Sequence, residues 1–253
     1  MVRLATFNLL HGRSLSDGLV DAARLRTAVA ALDADVLGIQ EVDRDQARSG
    51  GLDLTAEVAV GMGAADFRFV SAISGTPGEV WQPATPADAV GTPAYGIGLV
   101  SRLPVLSWHE LTLPAAPVRS PIMLPGTKQV IWLKDEPRAA VAAVVETATG
   151  PLTVCTTHLS FVPIWNGVQL RKVTAWLREL PGPKVLLGDL NMPGPFPRAL
   201  SGWRVLAKAK TYPGWEPKIQ LDHVLGHGAL PPVRAVETPA LPLSDHRALA
   251  ILL

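Results

Sequence analysis

Carboxylate, carboxamide and imidazole side chains recur at the ends of apolar runs along the whole of this 253-residue chain. Each run is long enough to form a buried strand, so each polar residue is expected at a strand tip. Side chains held in this way suit a hard divalent cation and in-line attack of water on a phosphate. In chain order the segments are Thr6-Phe7-Asn8, Ile39-Gln40-Glu41, Thr157-His158-Leu159, Gly188-Asp189-Leu190-Asn191, Leu221-Asp222-His223 and Ser244-Asp245-His246.

The spacing within these segments restricts what the side chains can do. Asp189 and Asn191 are two residues apart in an extended segment, so they point to the same face and can hold one water between them. A histidine supplies the best general base near neutral pH, and a carboxylate partner fixes its tautomer. His223 points to the opposite face from Asp222 and is expected to be structural.

Taken in order, the motifs resemble the endonuclease/exonuclease/phosphatase superfamily, the metal-dependent phosphoesterases with a deoxyribonuclease-type fold. The resemblance runs from Asn8 to His246 and covers almost the whole chain. It implies an α/β (α+β) fold in which two packed β-sheets are flanked by helices as a four-layer sandwich, with the site at one end. It also implies Mg²⁺ or Mn²⁺ as the cofactor.

The resemblance implies Glu41 as the main metal ligand. The Asn that matches Asn8 binds near the metal or positions the attacking water, and Asp245 is implied either as a direct metal ligand or as a residue just behind the ligands. Carboxylate oxygens suit Mg²⁺ and Mn²⁺, and the sequence has no Cys/His cluster at zinc spacing. Some members of the family carry an Asp where this chain has Leu10, and that departure makes His11 a candidate substitute ligand.

The resemblance also implies the residues that act on water and on the substrate. The general base matches His246 with Asp222 as its partner, and Asp189 and Asn191 match the pair that places the attacking water. The histidine matching His158 stabilises the phosphoryl oxygens or protonates the leaving group.

Two further positions are implied at the substrate. The arginine that matches Arg138 faces the phosphate pocket, and a guanidinium fork suits that role, although an isolated Arg138 could equally be a solvated cation at a strand edge. Tyr95 either packs or contacts substrate, and Ile97 stands where many relatives have Asn.

Charge and hydropathy narrow the class of partner. Lys and Arg number 23 and Asp and Glu 22, giving a net charge of +1, whereas proteins that grip long nucleic acid usually carry a basic face. Mean hydropathy is +0.24, but no apolar run approaches the ~20 residues of a membrane span, and no signal peptide is recognisable. We expect a cytoplasmic, monomeric protein without a transmembrane segment.

The single cysteine, Cys155, lies in an apolar run and is expected to be buried and inert.

Strand-like apolar runs alternate with helical segments, and no linker divides residues 1–253, so one α/β domain is predicted. Helices are predicted at 22–32, at 170–180 and, shorter, at Leu54–Met62. Ser74–Ala94 and Leu113–Lys128 are rich in Pro and Gly and are predicted to be loops. The predicted strands are Leu4–Leu9, Val36–Gln40, Gly96–Ser101, Val130–Leu133, Ala139–Glu146, Leu152–Thr157, Lys184–Gly188, Ile219–Leu225 and Ala248–Leu252.

Four of the seven tryptophans fall in or beside the predicted loops: Trp81, Trp132, Trp165 and Trp215. Packing beneath the loops and a role at the site are given equal weight. Trp165 follows His158 by seven residues and Trp215 precedes Asp222, so both loops are expected to overhang the site. We hypothesise a pocket walled by these aromatics that prefers a compact or partly apolar phosphodiester to long duplex DNA.

The sequence therefore predicts a metal-dependent enzyme that hydrolyses a phosphodiester or phosphomonoester by attack of an activated water. Its substrate is expected to be a small phosphoester or a lipid head group, and a nuclease acting on DNA or RNA is the alternative. Because fold does not fix function, a catalytically silent binding module on the same scaffold is a second alternative.

Overall fold

The computed structural model describes residues 1–85, 91–123 and 130–253, without the side chains of residues 122 and 123. The described helices are α1 (Ala22–Ala30), α2 (Leu54–Met62), α3 (Trp165–Arg178) and α4 (Phe196–Ser201). The described strands are β1 (Arg3–Asn8), β2 (Val36–Arg44), β3 (Asp66–Gly75), β4 (Trp81–Pro83), β5 (Ala94–Ser101), β6 (Val105–Leu113), β7 (Arg119–Met123), β8 (Val130–Lys134), β9 (Arg138–Thr147), β10 (Gly150–His158), β11 (Lys184–Asp189), β12 (Arg204–Val205), β13 (Asp222–His227), β14 (Ala235–Glu237) and β15 (Leu249–Leu252).

These strands form two large sheets and a separate hairpin of β7 with β8. Sheet one has the order β14-β15-β1-β2-β5-β3-β4, and sheet two has the order β12-β13-β11-β10-β9-β6. Two neighbouring pairs are parallel, β1 with β2 and β10 with β11. Parallel neighbours need a crossover connection, and α1 and α3 lie in those two connections. Each crossover brings the polar C-terminal ends of two successive strands side by side, those of β1 and β2 in sheet one and those of β10 and β11 in sheet two.

The sheets pack face to face, and helices cover their outer faces. The inner core joins both sheets through Leu4, Val36, Leu99, Val141, Val154 and Leu187. On the outside of sheet one, α1 and α2 pack through Leu25, Val29 and Val58. On the outside of sheet two, α3 packs through Leu170, Val173 and Leu177. The resulting helix, sheet, sheet, helix order confirms the predicted four-layer sandwich.

Capping explains where two of the helices begin. The Asp21 side chain accepts a hydrogen bond from Arg24 N at 2.6 Å, and the Asp53 side chain accepts one from Ala56 N at 3.0 Å. Each carboxylate satisfies an amide of the first turn that has no partner within the helix. These caps fix the starts of α1 and α2, which bracket the polar end of β2.

The prediction that Ser74–Ala94 and Leu113–Lys128 are loops is wrong for part of each segment. Strand β4 and the end of β3 fall in the first, and β7 falls in the second, while 86–90 and 124–129 lie outside the described residues. Pro83 is tolerated because β4 is an edge strand, and Pro121 because β7 belongs to a two-stranded hairpin.

The strand predictions also missed β3 and β6, which alternate polar and apolar residues instead of forming an apolar run. The predicted strand Ile219–Leu225 begins only at Asp222 and continues to His227. None of the helices among the described residues is long and apolar enough to cross a bilayer. Cys155 is buried, as predicted.

Candidate active site

Strand register aligns three of the predicted site residues across sheet two. His158 ends β10 opposite Asp189 at the end of β11, and Asp189 lies opposite Asp222 at the start of β13. Neighbouring strands lie about 4.8 Å apart, so the three side chains stand in one row at the end of the sheet. Gly188 permits this arrangement, because a Cβ there would lie 2.0 Å from Thr157 O on β10.

Sheet one contributes Asn8 and Glu41 from its two parallel strands. Asn8 ends β1 opposite Gln40 on β2, and the ladder of β2 with β5 shifts register between Ile39 and Val42. Glu41 lies in this bulge with a φ of +54°, a left-handed conformation that is uncommon for a residue with a side chain. Bulges re-aim side chains next to functional sites, and this one directs Glu41 to the cleft.

Asn8 connects the two sheets at the site. Its Nδ2 donates to Glu41 Oε1 at 3.0 Å and to Asp189 Oδ2 at 3.1 Å, and its Oδ1 accepts from Leu10 N at 3.1 Å. Both amide hydrogens are thus used on carboxylates of different sheets. This fully buried side chain is placed to orient Glu41 and Asp189, and only one lone pair of Oδ1 remains for a metal.

Asp189 lies at the centre of the predicted catalytic residues. Its Oδ2 is 3.6 Å from His158 Nε2 and 3.8 Å from His246 Nε2, and its Oδ1 accepts from Asn191 N at 2.9 Å. Burial raises the pKa of Asp189, and the nearby His246 opposes that shift. The two imidazoles therefore face a single carboxylate oxygen.

His246 is held by a carboxylate on its other ring nitrogen. His246 Nδ1 lies 2.8 Å from Asp222 Oδ2, and Asp222 is fully buried. Burial lowers the pKa of His246, but Asp222, Asp189 and Asp245 together raise it to about 10. The loop that carries His246 is fastened to β1, because Ser244 Oγ donates to Asn8 O at 2.6 Å and accepts from His246 N at 3.0 Å.

The Nδ1 atom of His158 faces a cation, whereas the Nδ1 atom of His246 faces a carboxylate. His158 Nδ1 lies 3.2 Å from Arg138 Nη1. Burial, Arg138 and His246 together hold the pKa of His158 well below its usual value, so the ring is neutral at physiological pH. Arg138 lines the cleft, and its Nε is buried without a hydrogen-bond partner among the described residues.

The predicted site residues surround one open cleft of about 1360 Å³. Its lining includes all the predicted site residues except Asn8 and Asp222, which are fully buried and lie behind it. Trp81 and Trp132 also line the cleft.

Trp165 and Trp215 are not among the residues that line this cleft, so these two tryptophans do not form its wall. Their loops do reach it, through Phe161 and Pro163 ahead of Trp165 and through Tyr212 ahead of Trp215. The indole nitrogen of Trp165 instead donates to Pro114 O at 3.0 Å, which holds the ring against a neighbouring loop. Trp215 lines a separate cavity of about 340 Å³, to which His246 also contributes.

The donor set at the cleft fits a hard divalent cation. Burial and the nearby Asp245 raise the pKa of Glu41, against the hydrogen bond from Asn8, so these carboxylates repel one another in the absence of a cation. The Asp245 carboxylate makes no hydrogen bond to another described residue. Side-chain atoms of Asp189, Asp222 and His246 also converge within 4.8 Å, but the hydrogen bond between Asp222 and His246 accounts for that convergence without a metal.

Sequence reasoning missed two residues of this region. The ring of Tyr212 lies 4.9 Å from the imidazole of His246 and lines the cleft, although nothing in its sequence context marked it. Asp135, beside Arg138, is fully buried, and its position three residues before Arg138 was the available signal.

Two other histidines lie away from the chemistry. His223 is tied to Met192 O by its Nε2 at 2.8 Å, which agrees with a structural role. His11 is not among the residues that line the cleft, and burial lowers its pKa to about 4.

Several solved structures share the fold of this chain. An endonuclease/exonuclease/phosphatase structure from Beutenbergia cavernae is 20% identical with a TM-score of 0.69, covering 99% of this chain and 70% of that one. Mannosyl-6-phosphatase from Bacteroides thetaiotaomicron is 14% identical with a TM-score of 0.66, covering 100% and 99%. Sphingomyelinase C from Streptomyces griseocarneus is 16% identical with a TM-score of 0.62, covering 99% and 98%.

These identities are low, and they show a shared fold only. No curated protein sequence is significantly similar to this chain. The model of the Endonuclease/Exonuclease/phosphatase family matches residues 5–246, which is nearly the whole chain. Members of that superfamily are hydrolases that act on phosphoesters and generally depend on a divalent metal. The chain therefore belongs to the endonuclease/exonuclease/phosphatase family.

Proposed function

We propose that this protein is a divalent-metal-dependent phosphoesterase that hydrolyses a compact phosphodiester by in-line attack of water. One observation carries the proposal: two histidines with opposite kinds of partner face Asp189 Oδ2, at 3.6 Å and 3.8 Å, at the base of the cleft. A general base and a hydrogen-bond donor on either side of a water-binding carboxylate are what hydrolysis without a covalent intermediate requires.

The proposed proton transfer follows from the partners of His246. The imidazole donates from Nδ1 to Asp222 at 2.8 Å, which leaves Nε2 as the atom that takes a proton from water. Strand β11 ends at Asp189, and Asn191 follows in a bend with a φ of +49°, so the expected extended alignment of the two residues is wrong. Both nevertheless line the cleft, and in this proposal they hold that water. The guanidinium of Arg138, which lines the cleft, neutralises charge on the phosphoryl oxygens.

Glu41 and Asp245 are the proposed metal ligands, with Asn8 orienting Glu41. When bound, Mg²⁺ or Mn²⁺ supplies positive charge that polarises a phosphoryl oxygen and offsets the carboxylates around His246. Hard oxygen donors favour these two ions, and the cluster contains no thiolate.

The charges of the cleft favour a compact substrate over a long polyanion. Five acidic residues line it, against three residues with a lysine or arginine side chain, Arg119, Lys134 and Arg138. Trp132 is 63% exposed, and Trp81 stands in the same lining, with Lys134 Nζ 5.4 Å from the centre of its ring. A compact diester with an apolar or planar group fits these walls better than duplex DNA, which is bound mainly through many phosphates.

Turnover of bis-p-nitrophenyl phosphate with Mg²⁺ or Mn²⁺ tests the proposal against the silent-module alternative. We expect metal-dependent hydrolysis that EDTA abolishes, and its loss in Glu41→Gln. The control is Glu57→Gln, which removes a surface carboxylate that pairs with Arg26. Activity that persists in EDTA, or a Glu41→Gln enzyme with wild-type turnover, would refute the metal assignment. No turnover of any diester or monoester would favour the silent module.

The dependence of activity on salt concentration distinguishes the nuclease alternative from the proposed hydrolysis of a compact diester. Binding to duplex DNA weakens steeply with ionic strength, because phosphate contacts release counterions. The KM for a compact diester is expected to change little between low and moderate salt. Efficient degradation of plasmid DNA with a steep salt dependence, and no hydrolysis of small diesters, would replace this proposal with the nuclease.

A further inference from the structure

The two histidines of the cleft differ in the group that faces Nδ1. His246 Nδ1 faces the Asp222 carboxylate at 2.8 Å, and His158 Nδ1 faces the Arg138 guanidinium at 3.2 Å. A carboxylate can only accept a hydrogen bond, and a guanidinium can only donate one. The partners therefore select opposite tautomers, with the neutral His246 accepting at Nε2 and the neutral His158 protonated at Nε2.

One neighbour of His158 competes with this assignment. Asn191 Nδ2 lies 3.1 Å from His158 Nε2, and it also donates to Leu159 O at 2.9 Å, which identifies it as the nitrogen of the amide. A neutral imidazole accepts at only one nitrogen, so Arg138 and Asn191 cannot both donate to it.

Charge decides the competition in favour of Arg138. A proton on Nδ1 would face a guanidinium cation inside the protein, where charge interactions are stronger than in water. A proton on Nε2 faces a neutral amide and the Asp189 carboxylate oxygen at 3.6 Å. The Asn191 amide keeps its bond to Leu159 O in either case.

The selection works only if Arg138 is held in place. Two carboxylates face its Nη2 atom, Glu136 Oε2 at 3.8 Å and Asp135 Oδ1 at 4.0 Å. Glu136 is partly exposed and screened by solvent, whereas Asp135 is fully buried, so the charge of Asp135 acts on Arg138 with less screening. Asp135 Oδ2 accepts from Ala116 N at 2.7 Å and from Ser160 Oγ at 2.8 Å, which fixes the carboxylate. Its Oδ1 is buried without a hydrogen-bond partner among the described residues and lies 4.0 Å from Arg138 Nη2. The unused charge of Asp135 is therefore directed at the guanidinium.

We propose that Asp135 is a positioning residue that acts through Arg138 to keep His158 protonated at Nε2, so that His158 donates a hydrogen bond in the cleft and cannot serve as a base. The role in turnover rests on the proposed hydrolytic function, whereas the tautomer does not. Asp135 is fully buried and is not among the residues that line the cleft. Its contribution is the direction in which His158 presents its proton.

The first test is the tautomer of His158 in the metal-free protein at neutral pH. Two-bond proton–nitrogen correlation spectra distinguish protonated from unprotonated ring nitrogens, and a His158→Gln spectrum assigns the signals. We expect a protonated Nε2 and an unprotonated Nδ1 in the wild type. The opposite tautomer in the wild type overturns the proposal whether or not the protein hydrolyses anything.

The second test removes the positioning charge. Asp135→Asn keeps the size and an acceptor oxygen but presents no negative charge to Arg138, and Arg138→Met removes the donor altogether. Both are expected to shift His158 toward protonation at Nδ1, with Asn191 then donating to Nε2. The matched control is Ser160→Ala, which loses a hydrogen bond to Asp135 and retains the charge. It is expected to lower the melting temperature and to leave the tautomer unchanged.

Kinetics complete the test. Asp135→Asn is expected to lower kcat by about 10–100-fold, as is usual when a residue supporting an active-site group is lost, with a smaller change in KM. In the Arg138→Met background the same substitution should cost little more, because its effect passes through Arg138. Multiplicative losses, or a wild-type tautomer in both Asp135→Asn and Arg138→Met, would overturn the positioning role.

Discussion

Replacing Asp222 by Asn should change how the stability of the metal-free protein depends on pH. The pKa of His246 is raised from 6.5 to about 10, and Asp222 is the strongest of the groups that raise it. A raised histidine pKa stabilises the folded state fully below the unfolded pKa of 6.5, and that stabilisation is lost as the pH rises through about 10. The protonated form of His246 is therefore a stabilising element at neutral pH.

The rise in the pKa of His246 sets an upper limit on the change in the free energy of unfolding. A rise of about 3.5 pH units corresponds to on the order of 5 kcal/mol, at 1.36 kcal/mol per unit, as an upper limit for all the carboxylates together. Asp222→Asn removes the largest part of that total. The variant should be less stable than the wild type at pH 7, and the difference should shrink, or change sign, toward pH 10. The buried Asp222 carboxylate is costly once its imidazolium partner has lost its proton.

Urea unfolding in EDTA at several values between pH 7 and pH 10, followed by tryptophan fluorescence, measures the free energy of unfolding directly. The difference between the two proteins is the informative quantity, because ionisation of Cys155 and the tyrosines contributes equally to both. Asp245→Asn, which removes a weaker contributor without a hydrogen bond to His246, should give a smaller difference. Parallel stability curves for wild type and Asp222→Asn would refute the reasoning.

Three further results are expected. His246→Ala and Asp222→Ala should each lower kcat by ~10²–10⁴-fold, and the double variant should lose little more than the worse single one, since the pair acts as a unit. Trp132→Ala should raise the KM of a diester with an aromatic group, whereas Trp165→Ala, outside the cleft, should leave that KM unchanged in the same steady-state assay. Asn8→Asp should lower the melting temperature in EDTA, because it adds a charge beside two carboxylates, and added Mg²⁺ should recover part of the loss.

Much of the site could be predicted because several of its residues lie at the ends of strands. Apolar runs fixed the ends of β1, β10 and β11, and parallel pairing then brings the residues at those ends together. The alignment of His158 with Asp189 follows from two neighbouring strands that end on a polar residue. The dyad of Asp222 with His246 needed the resemblance to a family as well, because no sequence period relates a strand start to a loop 24 residues later.

The remaining features depend on backbone irregularity and long-range packing. The bulge at Glu41 leaves no trace in an apolar pattern that continues through Val42. Strand β7 contains Pro121 and lies in a segment rich in Pro and Gly, so its sequence is typical of a loop. The sequence therefore did not predict the hairpin that carries Trp132, nor that Trp132 shares the cleft with Trp81 instead of with Trp165 and Trp215. Asp135 was overlooked because a carboxylate beside Glu136 looks solvated until the fold buries it completely.

Asn8 shows why both sheets are needed for one reaction centre. It lies on sheet one, yet its two amide hydrogens bind Glu41 of the same sheet and Asp189 of the other. The proposed metal ligand and the proposed water-binding carboxylate are thus set relative to each other by one fully buried side chain. Beneath it, Gln40 Nε2 donates to Thr6 Oγ1 at 3.0 Å and to Thr156 Oγ1 on sheet two at 2.8 Å. Because these polar links join the sheets at the site, a small slide of one sheet over the other would separate metal from water, and the apolar packing elsewhere between the sheets resists that slide.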